Sequence, residues 1–509
     1  LVDPNTIAQK VAQEVESLRD TLIADTQRIL QFRTVSGGDE QQEKEYRAEI
    51  PKCFEWLRGR AEEMGFEFAL FADGRVGEIT WRHPDPEAAI CAIASHIDVV
   101  AATGEWEHPP FSGEIADDQI WGRGAQDDKG PLIQSLYAVY ALKRAGIQPP
   151  CTIKLVIGTQ EETGEWDDLA AYLEEAPMPN YGFTPDADFP IINGEKGMIS
   201  IVFKADWDDE GINEETGVEF LSVRGGERDN VVPASCEFTV RFPKEARSEV
   251  LKEMVRSSTE YTVEHAGANV TLQPNKERDP DAPTHEAVLS FVGRQAHAST
   301  PHQGHNAVVD ACDFMKDLQA MPRAVRTFCL FLTIAGTSTD GANLGIDSTH
   351  DFIGSTTSCL ALADIRANGG RALLNIRPTM GLTTAEVLER CQTKAREFGE
   401  ATGLEIVAEQ KGSAMDAIFL DPQHPLAGPF IRSLQQGFEM VTGEKGELKA
   451  VGGTTYAKAM PNCCAFGPTL DEPDLIHQPN ERVPVAAVVR NAKIFGTSLG
   501  LLAAKMEKN

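Results

Sequence analysis

Two pairs of residues in this chain have types and spacing suited to metal-assisted proton chemistry: His96 and Asp98 in HIDVV, and Glu161 and Glu162 in GTQEETG. His96 and Asp98 end an apolar run, AAICAIAS (88–95), which is short and rich in small and branched residues, as a buried strand is. Alternate residues of an extended chain point the same way, so both side chains can face one pocket. A carboxylate placed there can hold the second nitrogen of a metal-ligating imidazole and fix its tautomer. The Glu161-Glu162 pair follows another apolar run, TIKLVIGT (152–159). Adjacent carboxylates in a turn repel, and a divalent cation makes the arrangement useful: one ligates it, the other takes a proton from the cation's water. Taken singly, each pair also has an ordinary reading, a surface hydrogen bond for His-x-Asp and a solvated loop for Glu-Glu.

Further candidates stand at comparable places. Asp127 and Asp128 lie in GRGAQDDKGP (122–131), a glycine-punctuated turn that delivers Asp127 to a helix N-terminus; acids there also serve as plain caps. Asp186 follows a short apolar strand in TPDADFP, and His477 follows the run 463–466 in EPDLIHQPNE. Asn230 in RDNVVP, His297 in GRQAHASTPHQGHNA and Arg377 in NIRPTMG look aimed outward, each with a bland alternative as a turn residue, a strand-end residue or a surface ion pair. His302 and His305 fall in the loop after His297 and are less specific.

The elements that must position these residues can be read from periodicity. Ile7, Val11, Val15, Leu18 and Leu22 predict one long amphipathic helix over 5–33, and a second spans about 41–64. A strand at FEFALF (66–71) precedes the His96 strand; a helix over 131–145 with Ile133, Leu136, Tyr137 and Tyr140 on one face stops at Gly146. Strand, helix and strand with buried apolar runs predict an α/β fold, a mostly parallel mixed sheet flanked by helices, with sites beyond the carboxyl ends of the strands. From about Lys196 the texture changes to half-exposed alternating strands, ISIVFKA (199–205) and CEFTVRF (236–242). A hairpin joins 362–366 to 373–377 through Ala-Asn-Gly-Gly. The expected organisation is a catalytic domain in two parts, 1–195 and 411–509, with an inserted α+β lid domain at 196–410. The polar, proline-containing segment 264–287 reads as a loop, and 426–440 as a helix.

Length and composition bound the function. At 509 residues the chain exceeds the size at which one core stops growing, about 250–300 residues. A formal charge of −31 opposes nucleic acid and anionic membrane as partners. The N-terminal LVDPNTIAQKVAQEV has no secretory pattern, and no run is expected to approach the ~20 apolar residues that span a bilayer. Ten cysteines without a Cys-x-x-Cys pair, several inside apolar runs, suit a reducing cytoplasm.

As a set, HIDVV, W-x-x-P-P-F (106–111), GRGAQDDKGP, GTQEETG, TPDADFP and EPDLIHQPNE resemble the co-catalytic dinuclear zinc peptidases. That family includes aminoacylases, carboxypeptidase G-type enzymes and carnosinases, and the order of motifs looks most like its PepV-type dipeptidases. The resemblance implies two Zn2+, with Mn2+ or Co2+ as substitutes: His96 and Asp186 on one, Glu162 and His477 on the other, and Asp127 bridging them across a cis Asp127-Asp128 peptide. It further implies that Asp98 orients His96, that Glu161 is the general base toward a metal-activated water, and that His297 stabilises the oxyanion. Asn230 and Arg377 would grip the substrate carboxylate, with backbone contacts from Gly453 in GGTTY. The implied activity is hydrolysis of dipeptides; the alternative is an N-acyl amino acid amidohydrolase of the same fold. NIRPTMG departs from the Asn-x-Arg-Tyr-Pro usual in PepV-like chains. The long insertion, as in PepV-type enzymes, implies a monomer with His297 acting in cis.

Overall fold

The computed structural model describes residues 3–208, 211–213, 217–274 and 283–505. The chain separates into two compact units, residues 1–194 with 419–509, and residues 195–418.

The first unit is built on a mixed sheet in the order 67–71, 76–81, 151–158, 89–96, 181–184, 463–465 and 191–195. Its centre is parallel: Ala89–His96 pairs with Cys151–Gly158 and with Tyr181–Thr184, which pairs in turn with Cys463–Ala465. The register sets His96 beside Gly158. Because parallel neighbours end at the same edge, the segments carrying His96, Glu161-Glu162 and Asp186 all leave the sheet on one side. The strands at 76–81 and 67–71 are antiparallel additions.

Helices cover this sheet with apolar faces. Lys129–Arg144 is buried on nearly every side, as the central helix of a layered α/β fold must be. The predicted helix over 5–33 is two, Pro4–Ser17 and Arg19–Leu30, broken at Leu18, where φ −99° and ψ 2° leave the helical region. Spacing alone missed this because the apolar stripe runs on through the break. Glu40–Glu63 starts at an Asp39-Gln42 capping box. Val485–Ala504 is long and apolar enough to cross a bilayer, which corrects the expectation that no such run exists. Its window is 78% buried inside the protein, and Val488, Ile494 and Phe495 pack into the same core as Val11 and Leu136, so its hydrophobicity serves that core.

The second unit holds an antiparallel sheet in the order 270–274, 284–292, 235–243, 219–225, 357–366, 369–377, 198–206 and 407–415. Strand 235–243 alternates buried Cys236, Phe238, Val240 and Phe242 with more exposed residues, the signature of one covered face. Helices 307–316, 323–337 and 384–402 contribute to that unit's core through Val308, Phe331 and Val387. The hairpin turns at Ala367-Asn368, with Arg366 facing Gly369, so both glycines lie in the second strand. Residues 264–287 are not a loop throughout. Val270–Pro274 pairs with Thr284–Val292, the latter burying every second side chain; residues 275–282 lie outside the described residues. The polar, proline-containing composition hid these strands, which expose one face.

All ten cysteines are free and buried. A buried ion pair sits inside the first unit's sheet: Lys154 Nζ donates to Glu78 Oε2 at 2.7 Å, and Tyr172 and Thr80 hydroxyls donate to the same carboxylate, each at 2.6 Å. Burial pushes the Glu78 pKa up, but these three donors outweigh it and hold it below its ordinary value. A depressed carboxyl pKa means that its contribution to stability is present above the unfolded value and is lost as pH falls through the folded one. Lys154→Met, followed by urea denaturation at neutral pH, is expected to cost about 3–5 kcal/mol by stranding a buried charge. Glu78→Gln/Lys154→Met is expected to cost less; equal costs would contradict the stranded-charge account.

Candidate metal centre

At the carboxyl edge of the first unit's sheet, side chains from distant segments converge. His96, Asp127 and Glu162 form one group of donor atoms lying within 4.8 Å of one another, and His96, Glu161 and Asp186 form another. His96 Nε2 is 3.0 Å from Asp127 Oδ1 and 3.8 Å from Asp186 Oδ2. His477 Nε2 is 3.1 Å from Asp127 Oδ2 and 2.9 Å from Glu162 Oε2. Asp127 therefore stands between the two histidines, one carboxylate oxygen toward each. The peptide joining Asp127 to Asp128 is cis.

Local structure explains how these side chains are aimed. His96 closes a strand and is fully buried, its ring edge-on to Tyr456. Its Nδ1 lies 2.9 Å from the main-chain oxygen of Asp98 and 3.3 Å from Asp98 Oδ1, so Asp98 meets the imidazole first through its backbone. The Asp98 carboxylate has a second task, absent from the sequence reading. It accepts hydrogen bonds from Ser36 Oγ at 3.0 Å and from the backbone amides of Glu161 at 3.3 Å and Glu162 at 3.1 Å. One residue thus ties the His96 strand end to the glutamate turn.

Asp128 does not cap the helix that starts at Lys129; its Oδ2 instead accepts from the His96 amide at 3.2 Å. Asp168, fully buried, holds the glutamate turn from below by accepting from the Thr159 and Gln160 amides and from the Tyr456 hydroxyl. Trp166 Nε1 donates to the Glu161 carbonyl at 3.1 Å. Asp168, Tyr456 and Trp166 carry no motif that marks them, since their role depends on contacts between distant segments.

The electrostatics of this cluster are those of a cation site. Burial, then the neighbouring carboxylates, raise the pKa of Glu161 and Asp186 well above the ordinary range and that of Glu162 to about 7. Burial disfavours charge on His96 as well, but Asp127 and Asp98 outweigh it and raise its pKa. Three buried atoms at the focus, His96 Nε2, Asp127 Oδ1 and Glu162 Oε1, have no hydrogen-bond partner among the described residues. Lone-pair donors turned toward common space fit a divalent ion, and imidazole with carboxylate suits zinc, manganese or cobalt.

In the second unit, the main chain brings Asn230 and His297 together: Ala298 N donates to Asn230 O at 2.9 Å and Val231 bridges His297. The Ser299 amide donates to His297 Nδ1 at 3.2 Å, which leaves Nε2 as the proton-bearing nitrogen. Burial and then the charge of Arg377 lower the His297 pKa, favouring that neutral form. Arg377 is 5% exposed, donates from Nε to Asn375 Oδ1 at 3.1 Å, and has its pKa lowered by burial to about 10. His305 is taken up by Asp310 at 2.7 Å. Gly453, in the first unit, lies exposed in the loop after strand 448–451, and among the described residues only Val451 comes close to where a Cβ would stand.

Known proteins resemble this chain along most of its length. The sequence matches Peptidase family M20/M25/M40 over residues 92–499. It is 30% identical over 502 residues to "Putative dipeptidase YtjP" of Bacillus subtilis, covering 96% of this chain and 99% of that one. "Putative dipeptidase SH1171" of Staphylococcus haemolyticus is 30% identical over 411 residues, covering 80% and 81%. The fold is similar to that of human carnosine dipeptidase 1 (TM-score 0.57, 13% identity, 98% of this chain and 99% of that one). It is also similar to that of the aminoacylhistidine dipeptidase of Vibrio alginolyticus (TM-score 0.55, 14% identity, 95% and 96%).

A cation that relieves this repulsion should stabilise the folded state. Zinc added to chelator-stripped protein at about 1,000 times its dissociation constant is expected to contribute about 4 kcal/mol, read by calorimetry as a rise in Tm. An unchanged Tm across Zn2+, Mn2+ and Co2+ would contradict the assignment.

Proposed function

The chain belongs to peptidase family M20/M25/M40, and from that premise we propose that it is a dinuclear zinc dipeptidase hydrolysing short peptides with a free C-terminus. The observation that carries this reading is the convergence of His96, Asp127, Glu162, Asp186 and His477 with Glu161 beside them. Relatives named as putative dipeptidases, matched over 80% or more of each chain, favour dipeptides over N-acyl amino acids.

Bound there, a pair of divalent ions supplies Lewis acidity, lowering the pKa of water to about 7 and polarising a carbonyl. His96 and Asp186 would hold one, Glu162 and His477 the other, and Asp127 would reach both. Glu161 takes the proton from the attacking water on its carboxylate and returns it to the leaving amine. His297 offers its Nε2 proton where negative charge develops on the substrate oxygen. Arg377 can hold the substrate's terminal carboxylate through two parallel hydrogen bonds, aided by the Asn230 side chain, and Gly453 offers backbone contacts without steric obstruction. We further propose that the chain works as a monomer, on the length of its second unit, and in the cytoplasm, on its ten free buried cysteines; light scattering tests the former.

The direct test is a panel of dipeptides, C-amidated dipeptides, and N-acetyl and N-succinyl amino acids, assayed with and without chelator. Chelator-sensitive cleavage of dipeptides, weakened by amidation, is expected; preference for the acyl amino acids would overturn the dipeptidase reading. Glu161→Gln is expected to bind zinc like the wild type and to lose kcat by several orders of magnitude, and retained turnover would remove Glu161 as the base.

A further inference from the structure

Glu481 is fully buried. Its Oε1 accepts from three backbone amides of the loop that carries Asp127: Gly124 at 3.0 Å, Gln126 at 2.9 Å and Asp127 itself at 3.4 Å. Its Oε2 accepts from Arg123 Nη1 at 2.6 Å, and its own main-chain oxygen accepts from the Gly122 amide at 3.0 Å. Arg123 is nearly as buried, with its guanidinium over the Trp106 ring. Gln126 makes the reciprocal contact: its Nε2 donates to Pro473 O and its Oε1 accepts from the Leu475 amide, both at 3.0 Å.

The two residues thus grip the turn that bears His477 from either side, Gln126 before it and Glu481 after it. That turn needs holding. His477 and Asn480 both adopt positive φ, 62° and 66°, a region that non-glycine residues occupy at a cost and keep only when surroundings impose it. His477 is also half exposed, so packing alone does not fix its ring.

We propose that Glu481, with Gln126, is a positioning pair for the metal centre: a buried clasp that sets the Asp127 carboxylate against the His477 imidazole. This rests on the metal centre proposed above. A carboxylate is required because one oxygen must serve three N–H donors while the other faces a buried guanidinium. Glutamine in its place either keeps its oxygen on the amides and turns an NH2 toward Arg123, or faces Arg123 with the oxygen and abandons the amides.

The test is zinc affinity of chelator-stripped protein, measured by competition with a chromophoric chelator, alongside the Tm of the metal-free protein. Glu481→Gln is expected to bind zinc about 10- to 100-fold more weakly, the usual effect of disturbing residues that orient ligands. Arg123→Met/Glu481→Gln is expected to recover most of that loss, because the glutamine oxygen can then stay on the amides unopposed. A purely structural role would lower the metal-free Tm and leave zinc affinity unchanged. Wild-type affinity in folded Glu481→Gln, or no recovery in the double variant, would overturn the clasp alone; wild-type protein that binds no zinc would overturn the metal centre and the clasp with it. Should Glu481→Gln fail to fold, Gln126→Leu cuts the other half of the clasp without leaving a charge. It is expected to weaken zinc binding several-fold, and unchanged affinity there would overturn the proposal.

Discussion

The constraint on which the first unit depends is the mutual repulsion of carboxylates gathered out of water. Asp98, Asp127, Asp128, Glu161, Glu162 and Asp186 lie around one buried imidazole, and like charges at such range are tolerated only where counter-charge or hydrogen bonds are supplied. The protein treats them in two ways. Asp98 accepts two backbone amides and the Ser36 hydroxyl, and Asp128 accepts the His96 amide through Oδ2, so both become structural ties. Asp127, Glu162 and His96 keep atoms without partners among the described residues, and their donor atoms lie within 4.8 Å of one another, an arrangement that fits a cation.

The scaffold explains how such a cluster is assembled from segments so far apart in the chain. Parallel strands bring His96, the Glu161-Glu162 turn and the Asp186 segment to one edge by register alone. The remaining donors, Asp127 and His477, lie on loops and need ties of their own. A fully buried carboxylate, Asp168, braces the glutamate turn, and another, Glu481, braces the Asp127 loop. Each accepts several backbone amides, so backbone position carries the precision that the ligands need.

Much of this was legible in the sequence because strand ends announce themselves. The apolar runs 88–95 and 152–159 stop where the acidic motifs begin, and in a parallel sheet that coincidence has one geometric meaning. The α/β class and the change of texture near Lys196 followed from the same periodicities. What stayed hidden depended on contacts between distant segments: the amide-binding task of Asp98, the turn of Asp128 toward His96 instead of a cap, and the support from Asp168 and Tyr456. Local composition misled in three places. A continuous apolar stripe concealed the break at Leu18, polar residues concealed the strands at 270–274 and 284–292, and the buried 485–504 helix has the length and hydrophobicity of a membrane span.

The central claim is that these side chains share a pair of divalent ions, and anomalous diffraction at the zinc edge from crystals of the zinc-loaded protein tests it most directly. The account predicts two peaks about 3.5 Å apart, with the Asp127 carboxylate between them, His96 and Asp186 on one and Glu162 and His477 on the other. No peak within reach of His96, or peaks ligated by other residues, would contradict it.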